Sequence, residues 1–84
     1  MGSQIIENMN TYVVSYTQIG PNSLDQELVE AETALSAMRK YLEQFTYTTF
    51  SDQEFSRFTN ETELASFVYT TLDANINAID VTNN

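Results

Sequence analysis

The sequence predicts an all-α fold: a small up-and-down bundle of three long helices, about 4–19, 24–45 and 61–79, and one short helix, about 52–58. Three observations lead there. Leu28, Ala31, Leu35, Met38, Leu42 and Phe45 alternate three and four residues apart, one stripe on a helix. Helix-start signals stand at Ser23, Ser51 and Asn60. The links between the periodic stretches are short, so successive helices are expected to lie antiparallel, within a single domain spanning 1–84.

In the first stretch, Ile5, Ile6, Met9, Tyr12, Val13, Tyr16 and Ile19 fall within an arc of about 140° at helical spacing. Val14 lies outside the arc. Tyr12 to Thr17 has strand propensity, but the face Val13, Ser15, Thr17, Ile19 alternates poorly, and helix is the preferred reading. Ser3 can cap its start, and Gly20-Pro21 stops it. The alternative keeps 11–19 as a strand, with only Tyr47 to Phe50 on offer as a partner.

Ser23-Leu24-Asp25-Gln26 has the form of a capping box for the central helix. Asp25, Glu27, Glu30 and Glu32 would then stand at its positive end, with Arg39 and Lys40 towards its negative end. Thr46 to Thr49 breaks the pattern. Ser51-Asp52-Gln53-Glu54 is a second capping box, with Phe50 and Phe55 placed as a hydrophobic staple before a short helix carrying Phe58. Asn60 caps the last helix, Glu63 stands at the reciprocal position, and Leu64, Ala65, Val68, Leu72, Ile76 and Ile79 make its apolar face.

Composition narrows function by exclusion. The chain has no cysteine and no histidine, which removes disulfides, thiolate or imidazole metal sites, and Ser–His or Cys–His catalysis. Twelve acidic residues face three basic ones, a net charge of −9 that repels nucleic acid and anionic membrane and attracts basic protein surfaces. No window is apolar enough to span a membrane, and the N-terminal residues lack a secretion pattern, so a cytoplasmic setting is expected. With two glycines, no phosphate loop exists, and Asp52-Gln53-Glu54 lacks calcium-loop spacing. No cofactor is expected. Asn60-Glu61-Thr62 matches a glycosylation triplet but reads better as a helix cap. Glu27 with Glu30, and Glu61 with Glu63, are read as first-turn acids rather than a catalytic pair.

What remains is a surface. On the expected central helix Asp25, Glu32 and Glu43 lie in one line about 27 Å long. On the expected last helix Glu63, Asp73 and Asp80 form a second line. Tyr41, Tyr47 and Tyr69 are less well placed on the apolar stripes, and Tyr41 and Tyr69 are the expected edge anchors. The expectation is a non-enzymatic acidic binding protein, monomer or homodimer, whose partner is the basic surface of a larger protein. Its most concrete form is an inhibitor of a nucleic-acid-handling protein, with spaced carboxylates imitating duplex phosphates, so a DNA mimic that binds no nucleic acid directly. The composition resembles that of phage-encoded inhibitors, immunity proteins and anti-activators, a likeness of composition only. The alternative is an assembly subunit that self-associates through a helical face.

Overall fold

Tyr12, Val14 and Tyr16 are buried in alternation along β1 (Asn10–Gln18), and their β-branched and aromatic neighbours suit a pleated strand covered on one face. The computed structural model describes residues 9–82. It is a small α+β fold in which a three-stranded antiparallel sheet, ordered β2-β1-β3, is covered on one face by helices. The expected all-α bundle is therefore overturned. The expected cap Ser3 and the apolar positions Ile5 and Ile6 lie outside the described residues.

The second strand, β2 (Ser23–Ala31), pairs along its whole length with β1, from Gln18 opposite Ser23 to Asn10 opposite Ala31. Gly20-Pro21 does punctuate the chain as expected, but it sits in a hairpin loop between Gln18 and Ser23, not between helices. Asn22 closes that loop at φ 56°, a left-handed position that asparagine tolerates better than most residues. Ser23 is no helix cap. It opens a strand, and the Gln26 amide reaches across the sheet to donate to the Ser15 hydroxyl at 3.0 Å.

The central helix expected over 24–45 is thus half strand. Its helical half is α1 (Ala34–Phe45), capped by Thr33, whose hydroxyl accepts from the Ser36 N–H at 3.0 Å. The acids at 25–32 do not complement its dipole, and its first turn carries none. Ala37, Met38, Tyr41 and Leu42 are its buried positions. That face lies on the sheet.

Next, α2 (Asp52–Phe55) forms with both hydrogen bonds of its capping box: the Ser51 N–H donates to Glu54 at 3.0 Å, and the Glu54 N–H donates to Ser51 at 3.1 Å. The Phe50 and Phe55 rings stand 6.0 Å apart, as the staple requires, and Phe58 and Phe67 complete the aromatic cluster. The helix α3 (Glu61–Leu72) starts at Asn60, as expected, and buries Leu64 and Val68. It ends where Asp73 turns left-handed at φ 56°. The rest of the expected last helix is β3 (Ala74–Asp80), which pairs with β1. Ala74 and Ile76 point into the core, and Ile79 lies on the opposite face.

The core lies between the sheet and the helices. It is centred on Val14, Met38, Leu42, Leu64 and Val68, none of which retains measurable exposure. Val14, the residue that did not fit a helical arc, is among its most buried side chains because a strand presents every second residue to one face. The other face of the sheet has no covering layer among the described residues. There Leu28, Val13 and Ile79 stand side by side across the three strands, and Leu28 and Ile79 are more than half exposed.

Candidate functional site

β2 is an edge strand with different chemistry on each side. In an antiparallel sheet, alternate residues of a central strand bond to alternate neighbours. The Ile19 N–H bonds the Asp73 carbonyl at 3.0 Å and the Val81 N–H bonds the Thr11 carbonyl at 2.8 Å, so the odd-numbered residues of β1 face β3. Its even-numbered residues face β2, and by the register their partners are Ser23, Asp25, Glu27, Val29 and Ala31. The backbone groups of Leu24, Gln26, Leu28 and Glu30 consequently point away from the sheet. One of them is occupied: the Lys40 ammonium donates to the Glu30 carbonyl at 2.6 Å.

The Asp25 and Glu27 side chains share the helix-covered side of the sheet with Tyr12, Val14 and Tyr16, since Asp25 pairs with Tyr16 and Glu27 with Val14. Tyr41, reaching down from α1, donates to Asp25 at 2.5 Å. The Tyr41 and Tyr16 rings stand 5.4 Å apart, and Phe45 stacks beyond Tyr41 at 4.9 Å. Burial first, and then the Asp25 hydrogen bond and the charges of Asp25 and Glu27, push the Tyr41 phenol well above the usual range. Burial raises the Tyr16 phenol as well. Both therefore stay protonated at neutral pH, and Tyr41 acts as a fixed donor. These groups border a cleft of about 570 Å³ whose rim includes Ser23, Thr48 and the fully exposed Tyr47. A second groove of about 430 Å³ runs between β2 and α1, lined by Leu28, Val29, Glu30, Lys40, Glu43 and Gln44.

The expected line of Asp25, Glu32 and Glu43 does not exist as a line. Asp25 is on β2, Glu32 follows the strand in the bend before α1, and Glu43 is on α1, because 24–31 is extended. Glu43 is paired with Arg39 at 3.3 Å and accepts the Phe50 N–H at 3.0 Å, so its charge is spent within the fold. Arg39 also donates to the Phe50 carbonyl and Asp52 and lies 4.6 Å from the Phe55 ring, fastening α1 to α2.

The second line is likewise dispersed. Glu63 is in the first turn of α3, where its carboxylate accepts the Thr59 N–H at 2.7 Å and the Thr59 hydroxyl at 3.0 Å, which together hold it below the usual carboxylate range. Asp73 is the left-handed residue between α3 and β3. Asp80 ends β3, accepting from the hydroxyl and N–H of Thr82, and these bonds lower its pKa. Of the two expected tyrosine anchors, Tyr69 is exposed on α3, whereas Tyr41 is 2% exposed and belongs to the core. Phe45, expected in the core, is 45% exposed.

The fold brings Asp25 and Tyr41 together and leaves the other six apart. Sequence reasoning missed Leu24, Gln26, Leu28 and Lys40, which define the outer edge of β2. The signal was the apolar face Tyr12, Val14, Tyr16; once 10–18 is a strand, the segment across the Gly20-Pro21 turn becomes its hairpin partner. Among the described residues no group of three or more Asp or Glu side chains is arranged to hold a metal ion, and no helix is long and apolar enough to cross a membrane. No protein-family model, curated protein or solved structure matches this chain.

Proposed function

We propose that this chain is a non-enzymatic binding module that engages the basic surface of a larger protein through β2 and the surfaces beside it. The single observation that carries the reading is the composition of that edge strand: Asp25 and Glu27 on the helix side and Glu30 on the open side flank exposed Leu24 and Leu28, and a backbone edge with no strand partner among the described residues runs alongside. Carboxylates speed encounter with a basic partner, and the leucines supply apolar area to bury once contact is made. The chain carries a net charge of −9, and Arg39, one of its three basic residues, is tied to Glu43 and Asp52 within the fold. An inhibitor that competes with nucleic acid for its target remains the most concrete version, with the cytoplasm as the proposed setting. The acids do not form the straight helical rows expected of a duplex mimic, because Ser23–Ala31 and Ala74–Asp80 are strands.

Capture of partners from a lysate at low salt, followed by elution with increasing salt, tests the reading. The expected eluate is a protein rich in exposed Lys and Arg, released over a narrow salt range. The combined variant Asp25→Asn, Glu27→Gln, Glu30→Gln should lose that protein. Retention by the variant, or an affinity indifferent to ionic strength, would refute the acidic contact.

A second reading is favoured by one feature, the apolar row Leu28, Val13, Ile79 on the open sheet face. It would make the chain an assembly subunit pairing through that face. Sedimentation at micromolar concentration separates the two, since a monomer unaffected by Ile79→Lys excludes self-association there.

A further inference from the structure

We propose that the partner contributes an extended, Lys- or Arg-bearing segment that adds to the edge of β2, which is unpaired among the described residues, as a fourth strand lying in the groove between β2 and α1. This rests on the reading of the partner as basic and adds the mode of recognition.

Four features converge on it. The outward backbone groups of Leu24, Gln26 and Leu28 offer a ladder that a fourth strand completes, and main-chain bonding to a sheet edge is a general source of affinity for extended peptides. The edge is flanked by a helix, so the groove of about 430 Å³ has a floor in β2 and a wall in Lys40, Glu43 and Gln44 of α1. Lys40 already bonds the Glu30 carbonyl, which shows that this edge carbonyl is free of β1 and accessible to a cationic donor. The side chains flanking the ladder are acidic on the helix side, Asp25 and Glu27, and mixed on the open side, where exposed Leu24 and Leu28 stand with Gln26 and Glu30. A strand alternating basic and apolar residues matches both at period two.

The same charges select against a second copy of this chain as the occupant. Pairing β2 with its own symmetry mate would place Asp25, Glu27 and Glu30 of each copy on one seam, and like charges across a strand pair are destabilising. The other free edge, on β3, carries Asp80 as its one ionisable residue and lacks this selectivity.

The probe is a short, end-blocked peptide of alternating Lys and Val, with a control N-methylated on the peptide nitrogens of one edge. Binding is followed on the full chain by titration and by amide hydrogen exchange. The expected result is salt-sensitive binding that slows exchange at Leu24, Gln26 and Leu28, with the control bound about tenfold or more weakly, the loss of two or three backbone bonds. Gln26→Pro removes an outward N–H without breaking the β1–β2 ladder and should weaken the parent peptide to a similar degree. If Gln26→Pro unfolds, the methylated peptide still decides. Equal binding of parent and control would overturn strand addition while leaving the acidic surface standing. Failure of both peptides to bind at low salt would also overturn it, and the elution experiment above then shows separately whether a basic partner exists.

Discussion

The Tyr41 hydroxyl donates a 2.5 Å hydrogen bond to the Asp25 carboxylate and so ties α1 to the edge strand β2. On one continuous helix these residues would stand about 24 Å apart along the axis. Their contact depends on the chain reversing between 31 and 34, and it sets the position of the strand proposed to meet a partner. Tyr41→Phe removes the hydroxyl and retains the ring. The expected loss is about 1–2 kcal/mol in urea unfolding. A double-mutant cycle with Asp25→Ala should return most of it as coupling, and additive losses would mean the bond contributes little.

The raised phenols of Tyr41 and Tyr16 give an alkaline limit to stability. The folded state holds these protons to higher pH than the unfolded chain, whose phenols titrate near 10.0. Their contribution is complete below that value and declines as pH rises through the folded pKa values. Unfolding free energy should therefore fall above about pH 10, and Tyr41→Phe should flatten the fall. Parallel curves for the two proteins would remove Tyr41 as the cause.

At the acid end the sign is opposite. Thr59 holds Glu63 below its ordinary value of 4.5, and Thr82 holds Asp80 below 3.8. Their contribution is present at neutral pH and disappears as pH drops through the lowered folded values. Protonation also relieves repulsion within a chain of net charge −9, which opposes the loss. The difference between the wild-type curve and that of Glu63→Gln isolates the Glu63 part, which should lower wild-type stability relative to the variant as acid is added.

Leu28 and Leu42 provide the sharpest test of the architecture. On the expected helix they share one apolar stripe. In the fold Leu42 is fully buried and Leu28 is 69% exposed. Leu42→Ala should cost about 2–5 kcal/mol and Leu28→Ala under about 0.5 kcal/mol, read by thermal or chemical unfolding. Equal costs would return residue 28 to the core.

Asp73 adopts φ 56° at the C-terminal end of α3, where a carboxylate also faces the negative end of the helix. Asp73→Gly relieves both and keeps the carbonyl that accepts from the Ile19 N–H. A gain of about 0.5–1 kcal/mol is expected, seen as a higher Tm.

Local signals were legible where the residues that decide a conformation are neighbours in sequence. The Ser51 capping box, the Phe50–Phe55 staple, the Asn60 cap and the break at Gly20-Pro21 are all contacts spanning a few residues. The exclusion of thiol and imidazole chemistry and the acidic surface follow from composition. What periodicity alone could not settle was helix against strand over 10–18, 24–31 and 74–80. Glu, Leu and Ala in β2 have little preference for a strand, and the three- and four-residue spacing from Leu28 to Phe45 fits a helix by count. Only pairing with β1 makes the extended form win, because β1 satisfies their backbone hydrogen bonds along nine paired positions with β2 and seven with β3. That partner is identified by the fold, not by the segment itself. The same non-local choice decided which acids stand together and which side of β2 was left open.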